Sequence, residues 1–149
     1  MHKLNLPICQ FRFQNKDGNV ELFDVVRKKF VVLTPEEWVR QHFIHYLINQ
    51  KGFPPSLMQL EKPLNYNQLE KRSDIVIYDK AANPVVLVEC KSPQVSITQD
   101  TFDQIARYNF SLKVKYLIVT NGINHFCCKM DYKTTSYSFI QQIPLYKEL

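Results

Sequence analysis

Arg72-Ser-Asp-Ile-Val-Ile-Tyr78, Asp79-Lys-Ala-Ala-Asn83 and Pro84-Val-Val-Leu-Val-Glu-Cys-Lys-Ser-Pro93 follow one another without a break. Ile75 to Tyr78 and Val85 to Val88 are β-rich apolar runs, and Asp79, Asn83 and Pro84 supply turn chemistry between them, which predicts a β-hairpin. Closed symmetrically about Ala81 and Ala82, the hairpin sets Tyr78 against Val85, Val76 against Leu87 and Asp74 against Glu89. Side chains paired in this way stand roughly 5 Å apart on one face, and like charges there repel. Two carboxylates so placed require a cation. By the two-residue period Lys91 projects to the face of Glu89, while Cys90 points to the other. Charges at strand ends are commonly just solvated, but the strand carrying Glu89 is apolar on both faces, as a strand buried in mid-sheet is. Its terminal charges therefore stand where unpaired ions are costly.

Asp74 followed by Glu89-Cys90-Lys91 at the end of an apolar strand resembles the PD-(D/E)xK nuclease superfamily, with Ser73 where that motif has proline. More narrowly, the chain resembles the amino-terminal nuclease domain of the motor (R) subunit of type I restriction enzymes. Gln104-Ile-Ala-Arg-Tyr108 is similar to the Gln-x-x-x-Tyr helix motif of that group, and Thr34-Pro-Glu-Glu-Trp-Val-Arg-Gln41 to its opening helix. The likeness runs from about Arg27 to Gly122. It implies a restriction-endonuclease-like α/β fold and a divalent-metal-dependent nuclease. On that resemblance Asp74, Glu89 and the main-chain carbonyl of Cys90 would bind Mg2+ or Mn2+, Lys91 would orient the attacking water, and Gln104 and Tyr108 would position the phosphate backbone.

Composition is compatible with that reading. The 149 residues, 45% of them hydrophobic, suffice for one core and are few for two domains. A net charge of +5 and a pI near 9.0 suit an anionic partner such as DNA without making the chain polybasic. Cys9, Cys90, Cys127 and Cys128 lack the Cys-x-x-Cys spacing of a redox or zinc motif and read as reduced core thiols. No apolar run approaches the roughly 18 residues that span a bilayer, and Met1 to Gln10 lacks the layout of a secretion signal. No membrane association and a cytoplasmic location are expected.

Around the hairpin the chain reads as one domain over 1–149: an amino-terminal hairpin to residue 26, a core from 27 to 122, and a closing hairpin from 123. Asp17-Gly18 between Ile8 to Phe13 and Asn19 to Val25 marks the first hairpin. Arg27-Lys28-Lys29 is either a solvated face or a phosphate-contacting patch. Thr34 as N-cap, Pro35 at the first helical position and Glu37 as capping-box partner open a helix running to Gln50, ended by Gly52. Glu36 and Glu37 suit the helix dipole; alternatively, one of them approaches the metal, and of the two Glu37 is chosen. Arg40, one turn on, is positioned to pair with Glu37 or with substrate phosphate. A strand over Leu57 to Leu64 carries Glu61, either an edge charge or a residue that orders the pocket. Lys71 and Arg72 either bind phosphate or balance Glu70 and Asp74. Val95 to Asn109 reads as a second helix with Ser96 or Thr98 as cap, on which Gln104 and Tyr108 stack one turn apart. Tyr116 to Thr120 reads as a buried strand paired with that of Glu89 after a helical crossover, and two further strands close the chain.

The expected architecture is thus α/β, a mixed sheet flanked by helices with hairpins added at both ends. The expected activity is phosphodiester hydrolysis in DNA, for restriction, defence or repair. A non-catalytic nucleic-acid-binding or assembly module of the same fold is the alternative. The chain carries no Gly-x-x-x-x-Gly-Lys-Ser/Thr motif, so a motor or specificity protein would act in trans or the domain would work alone. The sequence leaves the oligomeric state open, although a small nuclease cutting both strands often works as a symmetric pair, a homodimer.

Overall fold

The chain is described by a computed structural model covering the backbone of residues 1–66 and 69–149, with side chains outside 63–72 and 108. Three short strands come first, β1 (Phe13–Lys16), β2 (Asn19–Asp24) and β3 (Lys29–Val32), and form an antiparallel sheet of their own in that order. Helix α1 (Pro35–Lys51) follows, then β4 (Met58–Tyr66), β5 (Leu69–Tyr78), β6 (Pro84–Cys90), helix α2 (Gln99–Asn109), β7 (Tyr116–Thr120), β8 (His125–Asp131) and β9 (Ser136–Ile140). The six later strands make one sheet in chain order, antiparallel throughout except for the parallel pair β6 and β7. The parallel pair needs a crossover, and α2 supplies it.

Two layers of apolar side chains enclose this sheet. Val39, Phe43, Ile44 and Leu47 of α1 pack with Ile75, Ile77, Val86, Val88 and Ile118. Phe102, Ile105 and Ala106 of α2 pack with Val76, Leu87, Leu117 and Val119. The odd and even residues of β5 therefore serve opposite helices, as the pleat requires. A fully buried ring such as Phe43 contributes about 2 to 3 kcal/mol of hydrophobic stabilisation. Among the described residues no helix is long and apolar enough to cross a membrane.

The α/β mixed sheet read from the sequence is present, with three differences. The amino-terminal unit has a third strand: Asp24 Oδ1 accepts the backbone N–H groups of Val26 and Arg27, and Lys28 takes a left-handed φ of 56°, turning β2 into β3 without glycine or proline. The carboxy-terminal hairpin of β8 and β9 is present but continues the main sheet, because β8 also pairs with β7. The central hairpin keeps Val76 opposite Leu87, but Tyr78 faces Pro84 rather than Val85, through a bulge at Ile77 and Tyr78. The turn explains the slip, since Asp79 Oδ1 gathers the N–H groups of both Ala81 and Asn83 and draws the chain in on one side.

Candidate active site

Helix α1 begins where Thr34 caps it: Thr34 Oγ1 accepts the N–H of Glu37 at 3.0 Å, Pro35 follows, and Gly52 closes the helix in the left-handed region at φ 73°. The Glu37 carboxylate does not return to the cap as a capping box would have it; two arginines hold it instead. Arg27 Nη2 donates to Glu37 Oε1 at 2.8 Å and Arg40 Nη1 to the same oxygen at 2.9 Å, while Gln41 Nε2 donates to Oε2 at 3.2 Å. Both guanidiniums reach further. Arg27 Nε binds Asp24 Oδ2 at 2.6 Å and Arg27 Nη1 binds Glu61 Oε2 at 3.2 Å. Arg40 Nη2 binds Asp74 Oδ1 at 2.6 Å and Glu36 Oε1 at 3.2 Å. Asp24 is fully buried; burial alone would raise its carboxyl, but hydrogen bonds from Arg27 and Gln41 bring it below the ordinary carboxylate range.

Asp74 is the junction between this network and the central hairpin. Its other oxygen, Oδ2, accepts the backbone N–H of Cys90 at 2.7 Å, which fixes the carboxylate against the end of β6. Continued past Ile75 and Val88, the strand register sets Asp74 opposite Glu89. Glu89 is buried, and its Oε1 has no hydrogen-bond partner among the described residues. Burial, and then the charge of Asp74 with a hydrogen bond between the two carboxyls, raise the Glu89 carboxyl well above the ordinary range, while Lys91 pulls it down. Lys91 is half-buried and follows β6 directly, its N–H donating to Thr120 O at 2.8 Å. Glu36 is drawn into the same field. Burial and Asp74 raise its carboxyl, Arg40 and Lys91 lower it, and its side chain remains 48% exposed.

Asp74, Glu89, Lys91 and the backbone of Cys90 are thus assembled at one place, with Arg40 bound to Asp74. Of the two acids opening α1, the one in the field of both Asp74 and Lys91 is Glu36. Glu37 reaches the site through Arg40. Gln104 is exposed on α2 and, among the described residues, makes no hydrogen bond to Asp74, Glu89 or Lys91. The side chains of Tyr108 and Arg72 lie outside the described residues. Asp24 and Gln41 went unread in the sequence, and Arg27 was legible only as part of a basic patch. Asp24 is a lone acid at a strand end, Gln41 an unremarkable helix residue, and Arg27 one of three basic neighbours; the signal available was the Asp-x-x-Arg spacing of a side-chain-capped turn. Glu61 joins the arginines from a left-handed position in β4, φ 55°, where the β4 to β5 pairing passes from Leu60 with Ile75 to Lys62 with Ser73.

The residues present suit a divalent cation. Asp74 and Glu89 are hard oxygen donors crowded together, and a cation would serve the orphaned Glu89 Oε1. Among the described residues no group of three or more His, Cys, Asp or Glu side chains is arranged around a common metal position, so backbone and water would complete the coordination. A cleft of about 650 Å³, lined by Arg27, Glu36, Glu37, Arg40, Glu61 and Ser92 among others, opens beside these groups.

The family described as type I restriction enzyme R protein N terminus matches residues 35–144. The chain belongs to that family. Its fold is also that of a solved fragment from Vibrio vulnificus YJ016 assigned as an HsdR subunit of a type I restriction enzyme, at a TM-score of 0.54 and 19% identity over 77% of the present chain. The match spans 25% of that Vibrio chain. A DUF820 protein from Anabaena variabilis ATCC 29413, assigned as a nuclease, aligns at a TM-score of 0.48 and 12% identity, over 97% of this chain and 88% of its own. No curated protein matches. As a member of that family, the chain has the mixed sheet and flanking helices of the Vibrio fragment, with Asp74 of β5 beside Glu89 and Lys91 at the end of β6.

Proposed function

We propose that this domain is a divalent-metal-dependent nuclease that hydrolyses phosphodiester bonds in DNA. The observation that supports the reading most directly is the buried, unpartnered Glu89 Oε1 beside Asp74, with Lys91 in the same field. Asp74, Glu89 and the Cys90 carbonyl would hold Mg2+ or Mn2+, which when bound supplies a Lewis acid for the phosphoryl oxygens and makes water a stronger acid. Lys91 orients the attacking water and donates a hydrogen bond to negative charge growing on the phosphate. The water oxygen joins phosphorus, one ester P–O bond breaks, and a proton ends on the departing oxygen. Glu37 and Arg27 brace Arg40, while Arg72, Gln104 and Tyr108 position the DNA backbone. A motor or specificity subunit in trans, or a second copy of the chain, would complete cutting of both strands.

Cleavage of linear and supercoiled DNA, assayed with Mg2+, with Mn2+ and with chelator, tests the reading. Metal-dependent product that falls by about a hundredfold or more in Lys91→Ala is expected. Retention of cleavage by both Lys91→Ala and Asp74→Ala would refute the assignment. The second reading, a non-catalytic DNA-binding module, is favoured by one observation: both oxygens of Asp74 are already engaged, by Arg40 and by the Cys90 N–H. It predicts salt-sensitive binding with DNA intact in every lane.

A further inference from the structure

Among the described residues, the two side chains that flank Asp74 each carry a buried unpartnered atom, of opposite character: Nε of Arg40, a donor, and Oε1 of Glu89, an acceptor. Arg40 is 5% exposed and Glu89 4%, so neither atom is supplied by bulk water. An arginine paired with a carboxylate frequently presents its planar fork to it in two parallel bonds. Arg40 is instead divided among Asp74, Glu36 and Glu37, with Glu61 Oε1 a further 3.7 Å from Nη1, and its Nε is left over. Glu37 does not depend on Arg40 for neutrality, since Arg27 Nη2 already occupies the same Oε1 at 2.8 Å. Asp74 does depend on it: among the described residues Arg40 is the cation paired with it, and its other contacts are the Cys90 N–H and the Glu89 carboxyl. A dication on Asp74 and Glu89 would place like charge against the guanidinium, and the cleft beside Arg40 gives the side chain somewhere to go.

We propose that Arg40 is an exchangeable counter-cation, which holds Asp74 until a divalent metal takes that oxygen and then presents its freed fork, Nε included, to a non-bridging phosphate oxygen of the substrate. The metal and the phosphate together satisfy the two orphaned atoms: the cation serves Glu89 Oε1 and the anion serves Arg40 Nε. Arg40 thereby couples the two binding events, resisting the metal alone and favouring the metal with substrate. This rests on the metal-dependent reading above.

Calorimetric titration with Mn2+ separates the two. Removing the competing cation in Arg40→Gln is expected to tighten Mn2+ binding roughly tenfold while weakening a thymidine dinucleotide added with the metal. Equal or weaker Mn2+ binding in Arg40→Gln, with the native protein still binding the ion, would overturn the exchange alone. Absence of Mn2+ binding in the native protein would overturn both the exchange and the metal reading. Should Arg40→Gln not fold, the Nε–H resonance of Arg40 in the native protein decides: saturating Mg2+ is expected to shift it, and the dinucleotide to shift it again and slow its exchange with water. An Arg40 resonance unmoved by bound Mg2+ overturns the proposal.

Discussion

Arg27 bears on more carboxylates than its neighbours Lys28 and Lys29, which lie in the same basic trio. It reaches Asp24, Glu37 and Glu61 at 2.6, 2.8 and 3.2 Å with its side chain only 17% exposed. Removing one partner of a buried ion pair leaves the other uncompensated, which outweighs the modest net worth of the pair itself. Arg27→Met is therefore expected to cost about 3 kcal/mol in urea unfolding. Lys28→Met is expected to change stability by no more than about 0.5 kcal/mol. The comparison explains what could be read from the residues. Asp74, Glu89 and Lys91 were legible because strand register is a local rule acting over fifteen residues. The arginine network beyond the Arg40–Glu37 pair was not, because its members come from β2, the turn after it, α1, β4 and β5, and no spacing in the sequence brings those together. Glu36 against Glu37 could not be settled for a related reason: both fit the first turn of a helix, and only the position of Arg27 decides which one is tied down.

At the level of elements, an amino-terminal strap closes over the end of β7. Asn5 N–H donates to Gly122 O at 2.8 Å, and His125 Nε2 meets Asn5 O at 2.9 Å. Gly122 lies at φ 85°, and a Cβ there would come within 2.7 Å of Leu4 Cδ2 and 3.1 Å of Val39 Cγ2. Gly122→Ala thus meets both backbone strain and a clash with the strap, an expected loss of about 2 kcal/mol or more. Adding Leu4→Ala should recover the steric part and leave the strain, so the double variant unfolds at higher urea than the single one. Element identity was readable where caps and periods agree, as at α1, the central hairpin and β7. It was lost at β3, whose connecting turn is built from charged residues; at α2 the helix was legible and its cap lay open between Ser96 and Thr98, of which Thr98 caps it, so that the helix begins at Gln99.

Over the whole molecule, three imidazoles make the fold sensitive to acid. Burial holds His42, His45 and His125 below the ordinary 6.5, with His42 adding to the effect at His45, against hydrogen bonds to Trp38 O at His42 and Asn5 O at His125. Below about pH 6.5 the unfolded chain takes up protons that the folded one resists, so stability falls as the solution is acidified through that window. Glu89, raised by burial, acts in the opposite sense above its ordinary 4.5, so the informative quantity is a difference. His125→Gln should show a shallower loss of urea midpoint between pH 7.5 and 5.5 than the native protein. An unchanged slope would exclude His125 as a contributor. The arrangement of the two sheets also decides where a gene for this domain can be cut. The family match begins at residue 35, yet the guanidinium that neutralises Glu37 and Glu61 arrives from position 27, beyond that boundary. A piece excised at the matched segment would keep Asp74, Glu89 and Lys91 and lose the second cation of their support, leaving Arg40 alone with four acids. An excision that keeps this support starts before Asn19, so that β2 and the turn after it bring Asp24 and Arg27 along.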